Sequence, residues 1–146
     1  MRALILALSI FFMQVNAASA LRITDNRGGM VIQFTREYER LIQTGETFEI
    51  DGLCASACTL VLQAPANRIC ITERAVFGFH AAYKNDFFAG KVTDREVTEF
   101  IIYKYPIAIQ EWINRQGGLT SDVLWLKGPE LAQMFRLCIG SLTGIY

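Results

Sequence analysis

The chain has no excess of either charge: its 146 residues carry 14 basic and 14 acidic side chains. That balance excludes a basic nucleic-acid binder, and no nucleic-acid partner is expected. The composition of a disordered segment is also missing, with 52% of residues hydrophobic and 19% charged. No internal repeat, low-complexity tract or linker divides the sequence, so one domain is expected, long enough to bury a core unaided. No apolar run reaches the length of a bilayer span. Zinc-type cysteine pairing is missing: Cys54 and Cys58 lie close together, but Cys70 and Cys138 are 68 residues apart. A thioredoxin-like C-x-x-C and the G-x-S-x-G elbow of the α/β-hydrolases are absent too. Neither a metal nor a cofactor is expected.

Charge is also absent between Arg2 and Arg22. Residues 3–13 read ALILALSIFFM, with only Ser9 polar, and Ala18-Ser19-Ala20 follows in the A-x-A pattern of a secretory cleavage site. Residues 1–20 are therefore expected to be a signal peptide and residues 21–146 a single exported domain, periplasmic or secreted, with no stable membrane span after cleavage. Loss of Arg2 leaves 13 basic and 14 acidic residues. In an oxidising compartment Cys54, Cys58, Cys70 and Cys138 are disulfide candidates, with three connectivities open. A bridge at Cys54 or Cys58 would stiffen the turn between them.

Hydrophobic spacing outlines an α/β chain. A short strand over residues 21–24 leads into the turn Asp25-Asn26-Arg27-Gly28-Gly29. Apolar positions from Met30 to Ile42 recur at helical spacing and stop before Gly45. A strand over 48–50 runs into Asp51-Gly52, and the small residues 54–58 lead into a buried helix, TLVLQA. Residues 68–71 and 76–79 read as strands, 81–90 as a loop. Thr93 and Glu96 have the spacing of a capping box for a helix reaching Tyr105. Pro106 can open another helix, which Gly117-Gly118 stops. A last short helix is expected at 129–134, followed by an apolar tail.

Three features have the residue types a serine hydrolase needs. Ser56 lies among small residues at a strand-to-helix junction, where a hydroxyl can be exposed. His80, the only histidine, ends a strand 24 residues later and is the one imidazole base available. Gly28-Gly29 offers side-chain-free N–H groups at a second strand-to-helix turn, and the Ala57 N–H is a second donor for an oxyanion. Taken singly, Ser56 also reads as a helix cap, His80 as a buried core histidine and Gly28-Gly29 as a plain turn.

The residues then carry a resemblance. N-R-G-G-M-V at 26–31 resembles the N-S-P-G-G-x-V turn of the Clp protease proteolytic subunit. G-L-C-A-S-A-C at 52–58 resembles that family's G-x-A-A-S-M-G nucleophile segment, and N-R-I-C-I with A-V-F-G-F-H, within 67–80, resembles its K-R-x-C-L…V-M-I-H stretch. Order and spacing agree across residues 26–80. The resemblance implies a Clp/crotonase-like fold of stacked β-β-α units, shortened at the N-terminus. It implies Ser56 as nucleophile, His80 as base, Gly29 and Ala57 as oxyanion donors, and Asp122 as third triad member, with Asp86 and Asp94 as alternatives. The sequence departs from the family pattern by lacking the proline of the glycine turn and by placing Cys58 at a glycine position.

The expected function is an exported Clp-like serine hydrolase acting on peptide or protein substrates, with a homo-oligomer open. Two other classes compete: a catalytically silent Clp-like binding module in the cell envelope, and a redox protein using Cys54 and Cys58.

Overall fold

The computed structural model describes residues 20–139. Residues 1–19 of the expected signal segment and the end of the apolar tail lie outside the described residues. Among the described residues no helix is long and apolar enough to cross a membrane. The chain is a mixed α/β domain built on a mostly parallel sheet.

Strand β1 (Leu21–Asn26) pairs in parallel with β2 (Phe48–Ala55), and helix α1 (Val31–Gln43) makes the crossover. β2 then enters a buried 3₁₀ helix, Ser56–Gln63, over the TLVLQA run that reads as a buried helix. Two short strands follow, β3 (Ile69–Ile71) and β4 (Val76–Phe79). Both pair in parallel with β2 on the same edge, β3 along Phe48–Ile50 and β4 along Leu53–Ala55. They are consecutive halves of one strand position, joined by the jog at Thr72–Ala75. The far edge is β7 (Leu124–Lys127), antiparallel to β4, with Leu124 opposite Phe79.

Several elements differ from the sequence expectation, for identifiable reasons. β2 does not stop at Asp51-Gly52. A Cβ at Gly52 would lie 2.0 Å from the Thr24 carbonyl oxygen, so only glycine lets β1 and β2 pass here, at the irregularity between Ile23 and Asp25. The segment read as a loop holds an exposed hairpin, β5 (Tyr83–Asp86) and β6 (Gly90–Thr93), with Phe87 and Phe88 at its tip. Helix α2 (Arg95–Lys104) is capped by Asp94, whose carboxylate accepts from Val97 N, rather than by Thr93. Pro106 sits just outside α3 (Ile107–Arg115), at its N-cap. A short α4 (Gly128–Ala132) follows β7.

Alternation along the strands sends one set of side chains to one face. Ile23, Phe48, Ile50, Cys54, Ile69, Ile71, Phe77, Phe79 and Leu126 are buried there, in one cluster with residues of every helix. Phe79 meets Tyr105 edge-on and lies beside Trp112, which ties α2 and α3 to β4. Tyr38 of α1 packs edge-on against Phe48 of β2.

The opposite face is polar at its centre. Asp51, its side chain 2% exposed, accepts from Arg74 (Nε at 3.0 Å, with a second contact from Nη2), from Thr72 (2.7 Å) and from Arg22. Arg22 belongs to β1, Thr72 and Arg74 to the β3–β4 jog, so one carboxylate ties three strand positions together. Hydrogen bonds from Arg74, Thr72 and Arg22 hold the Asp51 carboxyl well below the usual range, against the opposing effect of its burial.

A carboxyl whose pKa is lowered by folding stabilises the fold above its unfolded value and stops doing so as pH falls. Asp51→Asn is expected to cost about 1.5–3 kcal/mol at pH 7, the range for hydrogen bonds to a charged group. The difference from the native protein should shrink as pH drops from 5 toward 2. Urea unfolding at a series of pH values checks this; a constant difference down to pH 2 would count against it.

Candidate functional site

In a parallel sheet the strands end at a common edge, and ligands bind outside their carboxyl ends. Here β1 delivers the Gly28-Gly29 turn, β2 delivers Ser56 and β4 delivers His80 to that edge. Register keeps them level, with Asn26 opposite Cys54 and Ala55 opposite Gly78. Two adjoining cavities open there, of about 630 Å³ and 410 Å³. Ser56 and His80 line both. The larger has an apolar wall that includes Met30, Ile32, Val97 and Ile101, while the smaller adds Lys91, Thr93 and Ser121.

Ser56 is the only non-glycine residue with a positive φ among the described residues, at 57°. A side chain in that left-handed region costs on the order of 1–2 kcal/mol, and residues so held concentrate at functional sites. Three contacts fix the elbow. Cys54 and Cys58 are disulfide-bonded across it, and Cys70 is bonded to Cys138, so two of the six bonds the sequence left open are made. Behind the elbow, Thr59 Oγ1 donates to the Ser56 carbonyl at 2.7 Å. The Thr59 proton being spent, the buried Tyr105 hydroxyl donates to Thr59 Oγ1. Burial pushes the Tyr105 hydroxyl above its usual pKa, which keeps it a donor.

In front of the elbow lies Gly28, with φ 78°. A Cβ there would lie 2.5 Å from Ala57 N, 2.7 Å from Ser56 Cβ and 2.8 Å from the Ala55 carbonyl oxygen. The Gly28 backbone therefore passes in direct contact with the elbow and the Ala57 amide. Its own N–H donates to Asn26 Oδ1 at 2.9 Å. Ala57 N–H lies in the first turn of the 3₁₀ helix and has no partner within it. Gly29, next in the turn, lines the larger cavity.

His80 is half-buried, and its Nδ1 lies 2.8 Å from the Ala81 carbonyl oxygen. A carbonyl only accepts, so Nδ1–H is the donor, and in the neutral ring this leaves the lone pair on Nε2. That is the tautomer a general base requires. The neighbouring backbone is fastened from three sides: Ala81 N donates to Thr120 O (2.7 Å), Ala82 N to Thr98 Oγ1 (3.0 Å), and Asp94 N to Ala82 O (2.8 Å).

No carboxylate bonds to His80 among the described residues. Asp122 lies in the exposed turn before β7, at the same sheet edge; its backbone N–H donates to Thr120 Oγ1 and it lines neither cavity. Asp86 accepts from Phe88 N and Ala89 N in the hairpin turn. Asp94 caps α2 and pairs with Lys84 at 3.6 Å. Thr59 and Tyr105 were missed in the sequence. The spacing of Thr59, three residues after Ser56, is the signal for a hydroxyl returning to a backbone carbonyl.

No protein-family model matches this chain, and no curated protein matches it.

Gly28→Ala is expected to destabilise the protein by at least 1–3 kcal/mol, through the left-handed φ and the contacts its Cβ would make. Gly29→Ala would bring its Cβ 3.2 Å from the edge of the Phe34 ring, which can shift. Thermal unfolding of the two variants should show a loss at Gly28 several times that at Gly29; equal losses would contradict the close approach at Gly28.

Proposed function

We propose that this protein is a serine hydrolase of the Clp-like class that cleaves peptide bonds in an oxidising compartment. The observation that carries the reading is the left-handed Ser56 at the end of β2, facing a cleft whose wall it shares with His80. The βαβ crossover with a glycine turn after β1 supports a Clp/crotonase-like relationship, as do the sequence similarities along residues 26–80. The two disulfides support export.

In this mechanism Ser56 Oγ attacks the carbonyl carbon of the substrate while His80 Nε2 takes its proton. The N–H groups of Gly29 and Ala57 receive the developing oxyanion. The imidazolium returns its proton to the leaving amine, and water, deprotonated by His80, then cleaves the acyl-Ser56 ester. The Ala81 carbonyl takes the part an aspartate plays in other triads, by holding Nδ1–H and so the ring. The apolar wall of the larger cavity gives an acyl side chain a place to lie.

The lack of a carboxylate on His80 favours a second reading, a silent binding module built on the same fold. Reaction with a fluorophosphonate probe separates the two. The native protein should be labelled, and Ser56→Ala should not. His80→Ala should slow labelling by about 10²–10⁴-fold, the usual contribution of a general base. Asp122→Asn should stay within about threefold, since the Ala81 carbonyl already fixes the tautomer; a loss near 10⁴-fold would return the third role to Asp122. A folded native protein that never labels would establish the binding module instead.

A further inference from the structure

Ser56 is the middle residue of a five-residue covalent loop, closed by the Cys54–Cys58 bond. Both cysteines are fully buried. Four residues of continued strand would carry Cys58 about 13 Å from Cys54, by the reach of an extended chain. A disulfide tolerates no more than about 7 Å between Cα atoms, and here they are 5.3 Å apart. The bond therefore forbids β2 from running on through Ser56 and requires the chain to reverse there. An unrestrained serine prefers right-handed or extended backbone to the left-handed form by on the order of tenfold.

Stability alone does not account for this bridge. Cross-links that close short loops restrain the unfolded chain least. The Cys70–Cys138 bond spans 68 residues, the Cys54–Cys58 bond only four. It is the shorter one that encloses the strained residue.

We propose that the Cys54–Cys58 disulfide is a positioning group that holds Ser56 in its left-handed conformation, so that the hydrolase is active only when this bond is oxidised. The inference rests on Ser56 being the nucleophile. A dithiol that reaches the buried bond through local opening of the elbow switches the site off by ordinary exchange. Its thiolate attacks one sulfur of the bond, forming a mixed disulfide and expelling the other cysteine as a thiolate. The second thiol of the reductant then closes its own disulfide and releases the remaining cysteine. Two electrons and two protons pass to the protein, and the reductant leaves as a cyclic disulfide. While the bond is reduced the elbow stays incomplete, and oxidation completes it.

The test uses the full chain and two paired variants, Cys54→Ala/Cys58→Ala and Cys70→Ala/Cys138→Ala. Fluorophosphonate labelling should fall by about 10–100-fold in the first pair, with its apparent binding constant for the probe unchanged. It should stay within about threefold in the second, although that pair loses the longer cross-link. If the first pair does not fold, dithiothreitol treatment of the second pair, whose only disulfide is Cys54–Cys58, gives the same reading and should silence it reversibly. A second measurement does not need activity. Ser56→Gly removes the side chain that makes φ 57° costly, so its effect on Tm should be about 2–4 °C more favourable with the bond intact than in Cys54→Ala/Cys58→Ala. Equal labelling with and without the bond, or equal Tm shifts in both backgrounds, would overturn the positioning role. A native protein that does not label but shows the Tm coupling would overturn the hydrolase reading and leave the conformational role of the bond standing.

Discussion

At Ser56 the chain has to leave a strand and enter a helix within one residue, and it does so with φ at 57° on a residue that has a side chain. Up to that stop β2 is held on both edges, by β1 on one side and by β3 and β4 on the other. What surrounds the elbow follows from it. A conformation with its Cβ turned this way leaves no room in front for a second Cβ, hence Gly28. Its carbonyl points back into the protein, where an unpaired acceptor would be costly, and the Thr59 hydroxyl, itself backed by Tyr105, supplies the donor. Its flanking residues have to be small and close, and they are a bonded cysteine pair with an alanine on either side of the serine.

The same strand carries, on the face away from the helices, the one buried carboxylate that several strand positions share. Asp51 receives Arg22 from β1 and Thr72 and Arg74 from the jog between β3 and β4. Thr72 N also donates to the Ile50 carbonyl, so the jog is fixed to β2 at one residue. Where β3 hands over to β4 sets the register of β4, and that register places Gly78 beside Ala55 and His80 two residues beyond it. The salt-bridged cluster is far from the cleft in function but it decides how far along the edge the imidazole stands from the hydroxyl.

Much of this edge was legible in the sequence because its residues are unusual in type. A lone histidine after an apolar strand, a serine among small residues and paired glycines after a short strand each stand out, and their order gave the placement of Ser56, His80 and the turn at the sheet edge. The hairpin at residues 83–93 did not stand out. Its two strands, YKND and GKVT, are largely exposed and show no alternation of apolar and polar residues. β7 is only four residues long with one buried side chain, Leu126, too little to fix a period. Asp51-Gly52 resembles a turn, because a glycine required by the approach of a neighbouring strand looks the same as one required by a bend. The disulfide partners could not be chosen from spacing, since the choice depends on the C-terminal segment returning beside β3, where Cys138 N donates to the Ile71 carbonyl. The backbone orientation of His80 was beyond reach for a similar reason: a carbonyl does not announce itself in a sequence, and a search for the third member of a triad looks for carboxylates.

Ser56 and His80 are thus held by different physics. Ser56 is fixed by a covalent ring and by packing against glycine, both insensitive to salt and to pH over the ordinary range. His80 is fixed by hydrogen bonds that run through backbone and threonine hydroxyls: its ring to Ala81 O, and the following two residues to Thr120 and Thr98. None of these partners carries a charge. A carboxylate in that place would stabilise an imidazolium by direct attraction; a carbonyl stabilises it only as a dipole. The carbonyl provides the tautomer and the ring orientation, which are the parts of such a role that depend on geometry. In the proposed hydrolysis the elbow presents Oγ and the Ala57 N–H in a fixed relation, the kind of preorganised backbone that stabilises a developing oxyanion.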